Sequence, residues 1–222
     1  MTILRTLCLA ITATILIPFA DVRAQQCLGL PSLATRHANL LLDAQFTSGV
    51  KGFGARLGFG SSVGFAGVTG QLERADGVDG TAKLIGVDGG LTILVGEKKN
   101  VTFCPIAGLS YTTSPDNDVL GESADANYTE GTAGVAVGGK VKAGTNTSLI
   151  PFASVSAAYS RFTFTYSGDS ESSSDTFGIL SGGVGILLNE KVVIRPTISI
   201  PLGLEGGDPS YGIGVAFSFG NR

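Results

Sequence analysis

The sequence is poor in the residue types that most metal sites and many catalytic sites require. It has no tryptophan, one histidine, one methionine and three cysteines in 222 residues. A metal site needs several histidine, cysteine or carboxylate ligands close together, and the single His37 and widely spaced cysteines offer no such cluster. Nucleophilic catalysis needs a base beside the nucleophile, and no serine stands in a nucleophile-elbow motif. The sequence therefore predicts neither an enzyme nor a bound cofactor.

Charge and long apolar runs are also scarce. Only 15% of the residues are charged, and the formal net charge is −3. Nucleic-acid binding proteins present a basic patch, which is missing here. Although 43% of the residues are hydrophobic, no run after residue 24 approaches the length of a membrane-spanning helix. Alternating strands closed into a barrel can expose such apolar side chains to lipid, because every second residue faces outward.

The first 24 residues have the pattern of a secretory signal peptide. Arg5 supplies the positive start, Leu7 to Phe19 is an apolar run, and Val22-Arg23-Ala24 forms a cleavage site. This three-part order is typical of export, and the apolar run is too short to span a membrane as a helix. We therefore expect cleavage after residue 24. An uncleaved anchor, or a lipoprotein modified at Cys27, is the alternative.

Beyond residue 37, apolar residues alternate with small or polar ones. The last strand is the clearest example, with one face formed by Tyr211, Ile213, Val215, Phe217 and Phe219. Glycine, alanine and serine form its other face. Strict alternation over ten residues predicts a strand about as long as a membrane requires.

Nine further segments have the same alternation, which predicts ten strands, or eight if the first two are misassigned. The nine are Asn39–Thr47, Gly52–Phe59, Val63–Glu73, Ala82–Val95, Val101–Thr113, Tyr128–Val141, Ile150–Tyr166, Thr176–Leu188 and Val192–Leu202. We therefore expect three parts in the chain: a signal peptide (1–24), an N-terminal periplasmic segment (25–36) and a β-barrel (37–222).

The predicted connections alternate in length. Short turns fall at 60–62, 96–100, 144–148 and 189–190, and longer polar segments at 75–81, 114–127, 167–175 and 203–210. Two of the long segments are acidic. Transmembrane barrels have long extracellular loops at one rim and short periplasmic turns at the other. The acidic segments are therefore expected outside the cell.

A signal peptide, a glycine-rich alternating body and a last strand ending Val215-Ala216-Phe217-Ser218-Phe219 resemble small bacterial outer-membrane β-barrel proteins of the OmpA-like or opacity-protein type. The resemblance implies a closed antiparallel up-and-down transmembrane barrel in the outer membrane of a Gram-negative bacterium, in contact with outer-membrane lipid. It also implies insertion by the barrel assembly machinery, which in that family reads an aromatic residue near the C-terminus. Phe219 is three residues from the end, so it departs from a terminal aromatic. Without tryptophan, an aromatic girdle must come from phenylalanine and tyrosine, such as Phe53, Phe59, Phe103, Tyr111, Tyr159 and Phe217.

Alternation also assigns a set of charged residues to the barrel lumen. These are Asp43, Arg56, Glu73, Asp88, Glu130, Lys140 and Arg195. Both signs are present, and buried charges must pair because an unpaired one costs several kcal/mol. We therefore expect a structural charge network that fills a narrow lumen; a polar pathway for small solutes is the alternative. Arg161 falls on the outward face of its strand and calls for a bulge or a shifted register.

The two cysteines left after cleavage form a candidate disulfide. Cys27 lies in the N-terminal segment, and Cys104 lies near the start of a strand beside a short turn. An even pair in an oxidising compartment favours a disulfide. A Cys27–Cys104 bond would tie the N-terminal segment to the periplasmic rim; two unpaired thiols are the alternative.

The sequence best fits a structural or surface-interaction protein whose narrow lumen is filled by small and charged residues. A small-solute channel, similar to a porin, is the first alternative. A soluble, lipocalin-like ligand-binding barrel is the second, and it would turn the apolar face of the last strand inward. The ligand or partner outside the cell is not indicated by the sequence.

Overall fold

The computed structural model describes residues 26–30, 37–61, 63–77, 80–95, 101–114, 117–119, 122–166, 169–204 and 207–219. The expected signal peptide and most of the segment 25–36 lie outside the described residues. Among the described residues, no helix is long and apolar enough to cross a membrane. The one helical element in the described part of the chain is a short 3-10 turn at Gln26–Leu28.

Ten long strands form the body of the molecule. They are β1 (His37–Thr47), β2 (Val50–Gly60), β3 (Gly64–Ala75), β4 (Ala82–Leu91), β5 (Val101–Thr113), β6 (Glu122–Gly139), β7 (Thr147–Tyr166), β8 (Asp169–Leu188), β9 (Val192–Leu202) and β10 (Ser210–Phe219). Ile93–Val95 continues β4, Val141–Lys142 continues β6, and Asn117–Val119 pairs with the start of β6.

The ten strands close into an up-and-down barrel. Each strand pairs antiparallel with the next along the chain, and β10 returns to pair with β1, where Leu42 lies opposite Val215. The predicted closed antiparallel barrel of ten strands is confirmed, and the eight-strand alternative is wrong. We call the rim where β1 begins the N-terminal rim, and the opposite one the distal rim.

The barrel turns its apolar side chains outward. On β10, the side chain of Tyr211 is 58% exposed and Ile213 and Phe219 are also exposed, whereas Gly214 and Ala216 between them are buried. Because side chains alternate across a strand, the apolar face of β10 lies on the outer surface of the barrel and its small residues face the lumen. The lipocalin-like alternative required the opposite arrangement and is contradicted.

Three adjacent strands are much longer than a membrane requires. β6 has 18 residues and β7 and β8 have 20 each, compared with 10–13 for the other barrel strands. A membrane-spanning strand needs about 9–11 residues. Beyond Gly178, β8 no longer pairs with β9, and beyond Asn127, β6 no longer pairs with β5. We call residues 122–130, 160–166 and 169–177 the projecting sheet. Most of it extends past the distal rim, whereas residues 127–130 still pair with β5.

The projecting sheet corrects two predictions. The segments 167–175 and 114–127 were expected as polar loops, but residues 169–175 belong to β8 and residues 122–127 to β6. The expected sorting of connections by length fails as well, because the distal rim also has a very short turn at 48–49, and β8 begins at Asp169, only three positions after β7 ends at Tyr166. Residues 169–176 are exposed on both faces of the sheet, so they show no apolar alternation. Their backbone hydrogen-bonding groups are nevertheless paired with β7.

The position of Arg161 needs neither a bulge nor a shifted register. β7 runs without interruption from Thr147 to Tyr166, and Arg161 lies on its outward face in the projecting sheet. Its Nη2 atom donates a hydrogen bond to Ser172 Oγ at 3.3 Å. An outward arginine is compatible with a membrane barrel there, because the strand has already left the apolar belt.

Candidate functional site: the plugged lumen and the projecting sheet

The described part of the N-terminal segment lies inside the barrel. Residues 26–30 contact β5, β6 and β7, and Cys27 and Leu30 are completely buried. Two lumen glycines make room for this backbone: a Cβ atom on Gly138 would collide with the carbonyl of Gln26, and one on Gly185 with the carbonyl of Gly29. We call residues 26–30 the plug.

A disulfide between Cys27 and Cys104 attaches the plug to β5, with the two Cα atoms 6.2 Å apart. The predicted pairing is confirmed. The bond lies in the barrel interior, however, and not at the rim where we expected it. Both cysteines pack with Phe65 and Ala136, so the bond itself forms part of an apolar cluster.

A second apolar cluster surrounds the other end of the plug. Leu30 packs among inward-facing side chains near the N-terminal rim, namely Leu41, Ile150, Leu187, Val193 and Ala216. Complete burial of a leucine side chain stabilises by about 1.5–3 kcal/mol. The plug therefore supplies the centre of an interior core that the narrow barrel would otherwise lack at this level.

Arg195 on β9 contacts the plug from the opposite wall. Its Nη1 atom donates a hydrogen bond to the carbonyl oxygen of Leu28 at 2.8 Å. Its guanidinium lies over the ring of Phe152, 5.8 Å from the centroid. Gly29, at φ +68°, bends the plug where the Phe152 ring leaves no room for a Cβ atom. Arg195, predicted as a lumen charge, thus holds the plug backbone.

One ion pair of the predicted lumen set forms directly. Arg56 Nε and Nη2 donate to the two oxygens of Asp88, at 2.7 and 2.6 Å, and Arg56 is only 7% exposed. A bidentate pair of this kind is short and directional. A cavity of about 250 Å³ lies between this pair and the plug, and it is bordered by Leu30 and Arg195 as well. The lumen above the plug is therefore partly open.

The other predicted lumen charges find different partners. Gln45 donates to Asp43 at 3.1 Å, Gln71 to Glu73 at 2.9 Å, and the Tyr128 hydroxyl to Glu130 at 3.0 Å. Lys140 forms an ion pair of 2.6 Å with Glu190 in the β8–β9 turn, at the N-terminal rim. Of the seven residues, the structure therefore brings only Arg56 and Asp88 into direct contact with each other.

A row of aromatic side chains occupies the lumen side of the projecting sheet. Phe162, Phe164 and Tyr166 are 42%, 40% and 37% exposed. They continue the face of β7 that is buried in the lumen at Ala158 and Ser160. We call this lumen-side surface of the projecting sheet the aromatic face, and the opposite surface the outer face.

Carboxylates flank the aromatic row. Across from β7, Glu171 lies opposite Phe164 and Asp169 opposite Tyr166. Glu130 and Asp175 both lie opposite Ser160, one on each side of it. Within the described part of the projecting sheet, no lysine or arginine lies on the aromatic face; Arg161 is on the outer face.

Tyr128 belongs to the same surface, opposite Phe162. Burial, followed by the nearby Glu130 carboxylate, raises the pKa of Tyr128 to about 12. The phenol therefore stays neutral near pH 7, and it donates a hydrogen bond to the Glu130 carboxylate. Among the side chains that the structure describes, the aromatic face thus has four carboxylates and no compensating cation.

Among the described residues, no group of three or more metal-binding side chains is placed to hold an ion. No protein-family model matches the sequence, and no curated protein matches it either.

Solved structures of similar shape are outer-membrane barrels. The attachment invasion locus protein Ail of Yersinia pestis is 13% identical, with a TM-score of 0.44, covering 83% of this chain and 99% of that one. The N-terminal barrel domain of Pseudomonas aeruginosa OprF is 14% identical, with a TM-score of 0.37, covering 83% and 98%. The transport unit of the Escherichia coli autotransporter AIDA-I is 12% identical, with a TM-score of 0.49, covering 84% and 89%. The closed up-and-down barrel of this chain, with its apolar side chains outward, agrees in fold with the predicted resemblance to small outer-membrane barrels.

Sequence reasoning missed both candidate sites. The plug is too short to have a periodic pattern, and its burial depends on the two glycines opposite it. The aromatic row was visible as alternation in 150–166, but it was assigned to the membrane-spanning part. The polar residues between the aromatics, Arg161, Thr163 and Thr165, were the available signal that the outward face stops being apolar here.

Proposed function

We propose that this protein is an outer-membrane barrel that does not conduct in its plugged state and that presents the projecting sheet outside the cell. The barrel anchors and orients that sheet, so its role is one of surface interaction. The observation that carries this proposal is the apolar outer surface of the barrel, combined with a lumen that is filled near one rim.

The outward surface is too apolar for water. Large exposed apolar side chains lie on every barrel strand, for example Leu57, Val68, Val87, Leu109, Val135, Val155, Leu180, Ile198 and Ile213. A soluble monomer rarely exposes a contiguous apolar patch of more than a few hundred Å². A continuous outward apolar band is the arrangement that lipid requires of a closed barrel.

We place the distal rim outside the cell because it bears the projecting sheet, and three basic side chains mark this end of the apolar band. Lys51 lies opposite Arg74 on neighbouring strands, and Lys83 follows on β4 opposite Leu72. All three point outward and are exposed. Long basic side chains at this level extend from the apolar band to anionic lipid headgroups.

The N-terminal rim would then face the periplasm. An exported chain would leave residue 25 on that side, where the oxidising environment maintains the Cys27–Cys104 bond. We also infer that the barrel assembly machinery inserts the chain, with β10 as the strand that it recognises. Residues 1–24 would be removed as a signal peptide.

A channel function has one observation in its favour, the cavity of about 250 Å³ that Arg56, Asp88 and Arg195 border. The plug separates this cavity from the N-terminal rim. Solute flow would therefore require displacement of the plug, and the plugged protein should be closed.

Fractionation and gel migration test the membrane assignment. We expect recovery in the outer-membrane fraction only, as an SDS-resistant folded band that shifts on boiling. Recovery as a soluble protein would contradict the proposal. Planar bilayers test the closed state: the folded protein should give no steady conductance, and a steady ohmic current would favour the channel instead.

A further inference from the structure

We propose that the aromatic face binds an extended polypeptide segment of a partner protein through arginine or lysine side chains. This inference rests on the proposed function, since it gives the partner class of the projecting sheet. The observation that supports it is an exposed row of aromatic side chains in a part of the molecule that lipid does not cover.

The aromatic side chains of this row are too exposed to form part of a packed core. Phe162 and Phe164 remain about two-fifths exposed although they are on the lumen side of their strand. On the same strand, the alternate positions on the outer face are Thr163 and Thr165, which suit a solvated surface. The two faces of one sheet therefore differ: the face that looks over the barrel mouth is aromatic, and the other is hydroxylated.

The charges differ between the two faces in the same way. The aromatic face has four carboxylates and no cation within the described residues, whereas the outer face has one charge of each sign, Arg161 and Asp125, which do not lie opposite each other. A cation is attracted both by a carboxylate and by the face of an aromatic ring. Arginine suits such a surface best, since its planar guanidinium stacks on a ring and also pairs with a carboxylate through two hydrogen bonds.

The spacing of the row favours an extended peptide segment over a small cation as the ligand. Phe162, Phe164 and Tyr166 are alternate residues of one strand, so they repeat at about 6.6 Å. Alternate side chains of an extended peptide repeat at the same distance. Glu171 and Asp169 follow the row on β8 in the same register. On that side the surface is open, because β9 ends at Leu202, opposite Gly178. Two or three basic side chains of one peptide can therefore be held at once.

The binding test uses the full-length protein folded in detergent micelles. The probe is a fluorescein-labelled hexapeptide with arginine at alternate positions and serine between, and its anisotropy gives the Kd at low ionic strength. Phe164→Leu keeps the bulk and charge of the face but removes the ring, and Glu171→Gln removes one charge. Each should raise the Kd about two- to five-fold, the range of exposed cation–π and ion-pair contacts. The double variant should raise it roughly ten-fold.

Asp125→Asn is the matched control, because it removes the same charge from the outer face of the same sheet. It should leave the Kd within a factor of about 1.5, since screening in water weakens distant charges. The proposal would be overturned if Asp125→Asn weakened binding as much as Glu171→Gln while Phe164→Leu had no effect. Absence of binding by the parent protein, or equal binding of the peptide with glutamine for arginine, would also overturn it.

The outcome for this site is separable from that of the proposed function. Heat-modifiable migration reports whether each variant forms the barrel, and the substituted residues lie outside the apolar band. A folded outer-membrane protein that ignores the arginine peptide would leave the membrane role intact and remove only the cationic partner. A soluble protein that binds the peptide would instead remove the membrane role and leave the cationic partner intact.

Discussion

Removal of the plug disulfide by Cys104→Ala should lower the free energy needed to open the plug, and the structure allows this change to be estimated. Cys27 is only ten positions before His37, where β1 fixes the chain. In the folded barrel, the bond therefore restrains a loop of about ten residues and not the full separation of 77 between the cysteines. The chain-entropy relation for ten residues gives about 2.7 kcal/mol, which is a factor of about 100 in the opening equilibrium.

The remaining contacts should still keep the plug mostly in place. Buried Leu30 contributes about 1.5–3 kcal/mol, and the charged hydrogen bond from Arg195 to the Leu28 carbonyl contributes about 1.5–3 kcal/mol. The single variant should therefore open transiently. Adding Leu30→Ala should lower the free energy of plug opening by about a further 2–5 kcal/mol, as for other buried leucines. Opening should then be frequent.

Maleimide labelling of the Cys27 thiol measures this opening, because Cys27 is completely buried while the plug is seated. Slow labelling in Cys104→Ala should become at least about 30-fold faster when Leu30→Ala is added. Brief current steps in planar bilayers should become more frequent in parallel. The reasoning would be refuted if Cys27 in the single variant labelled as fast as an unfolded peptide. Fast labelling of the double variant without any current would instead show that the plug is not the barrier.

Three further changes test the lumen and the belt. Arg56→Gln leaves the partly buried Asp88 without its partner and should lower the unfolding free energy in urea by up to about 3 kcal/mol; adding Asp88→Asn should recover part of this loss, and no recovery would argue against the pair. Gly138→Ala should displace the plug, since its Cβ atom would meet the Gln26 carbonyl, and a normal disulfide yield on a non-reducing gel would contradict that. Ile213→Lys places a charge on the lipid side of β10 and should destabilise the barrel by up to about 4 kcal/mol in lipid vesicles, whereas Ile213→Ala should cost far less.

The barrel itself was predictable because its physical cause is local. Lipid on one side and a narrow lumen on the other force strict alternation, and β10 shows it without interruption from Tyr211 to Phe219. The cysteine pairing was also predictable, since only two cysteines would remain after the expected cleavage. The location of the disulfide was not, because it depends on residues far apart in sequence. Nothing in Leu28-Gly29-Leu30 indicates that Gly138 and Gly185 leave space for its backbone on the opposite wall.

The projecting sheet escaped prediction for a different reason. Residues 169–175 are mostly serine and acidic, and a strand that is solvated on both faces needs no apolar period. Its pairing with β7 is decided by the register that the membrane-spanning part has already set, from Thr147 opposite Leu188 to Tyr166 opposite Asp169. The composition of residues 169–175 is thus that of a loop, but pairing with the neighbouring β7 makes them a strand.

The outward positions of β7 mark the level at which the membrane ends. They are apolar or aromatic up to Tyr159 and then change to Arg161, Thr163 and Thr165. The neighbouring β8 changes in the same way, from Leu180 to the hydroxyl residues that follow toward the distal rim. Because two adjacent strands change at the same height, the boundary is a property of the surface and not of one residue. The rings of Phe162, Phe164 and Tyr166 lie beyond it, so lipid does not account for their exposure, whereas the proposed basic peptide segment would cover them.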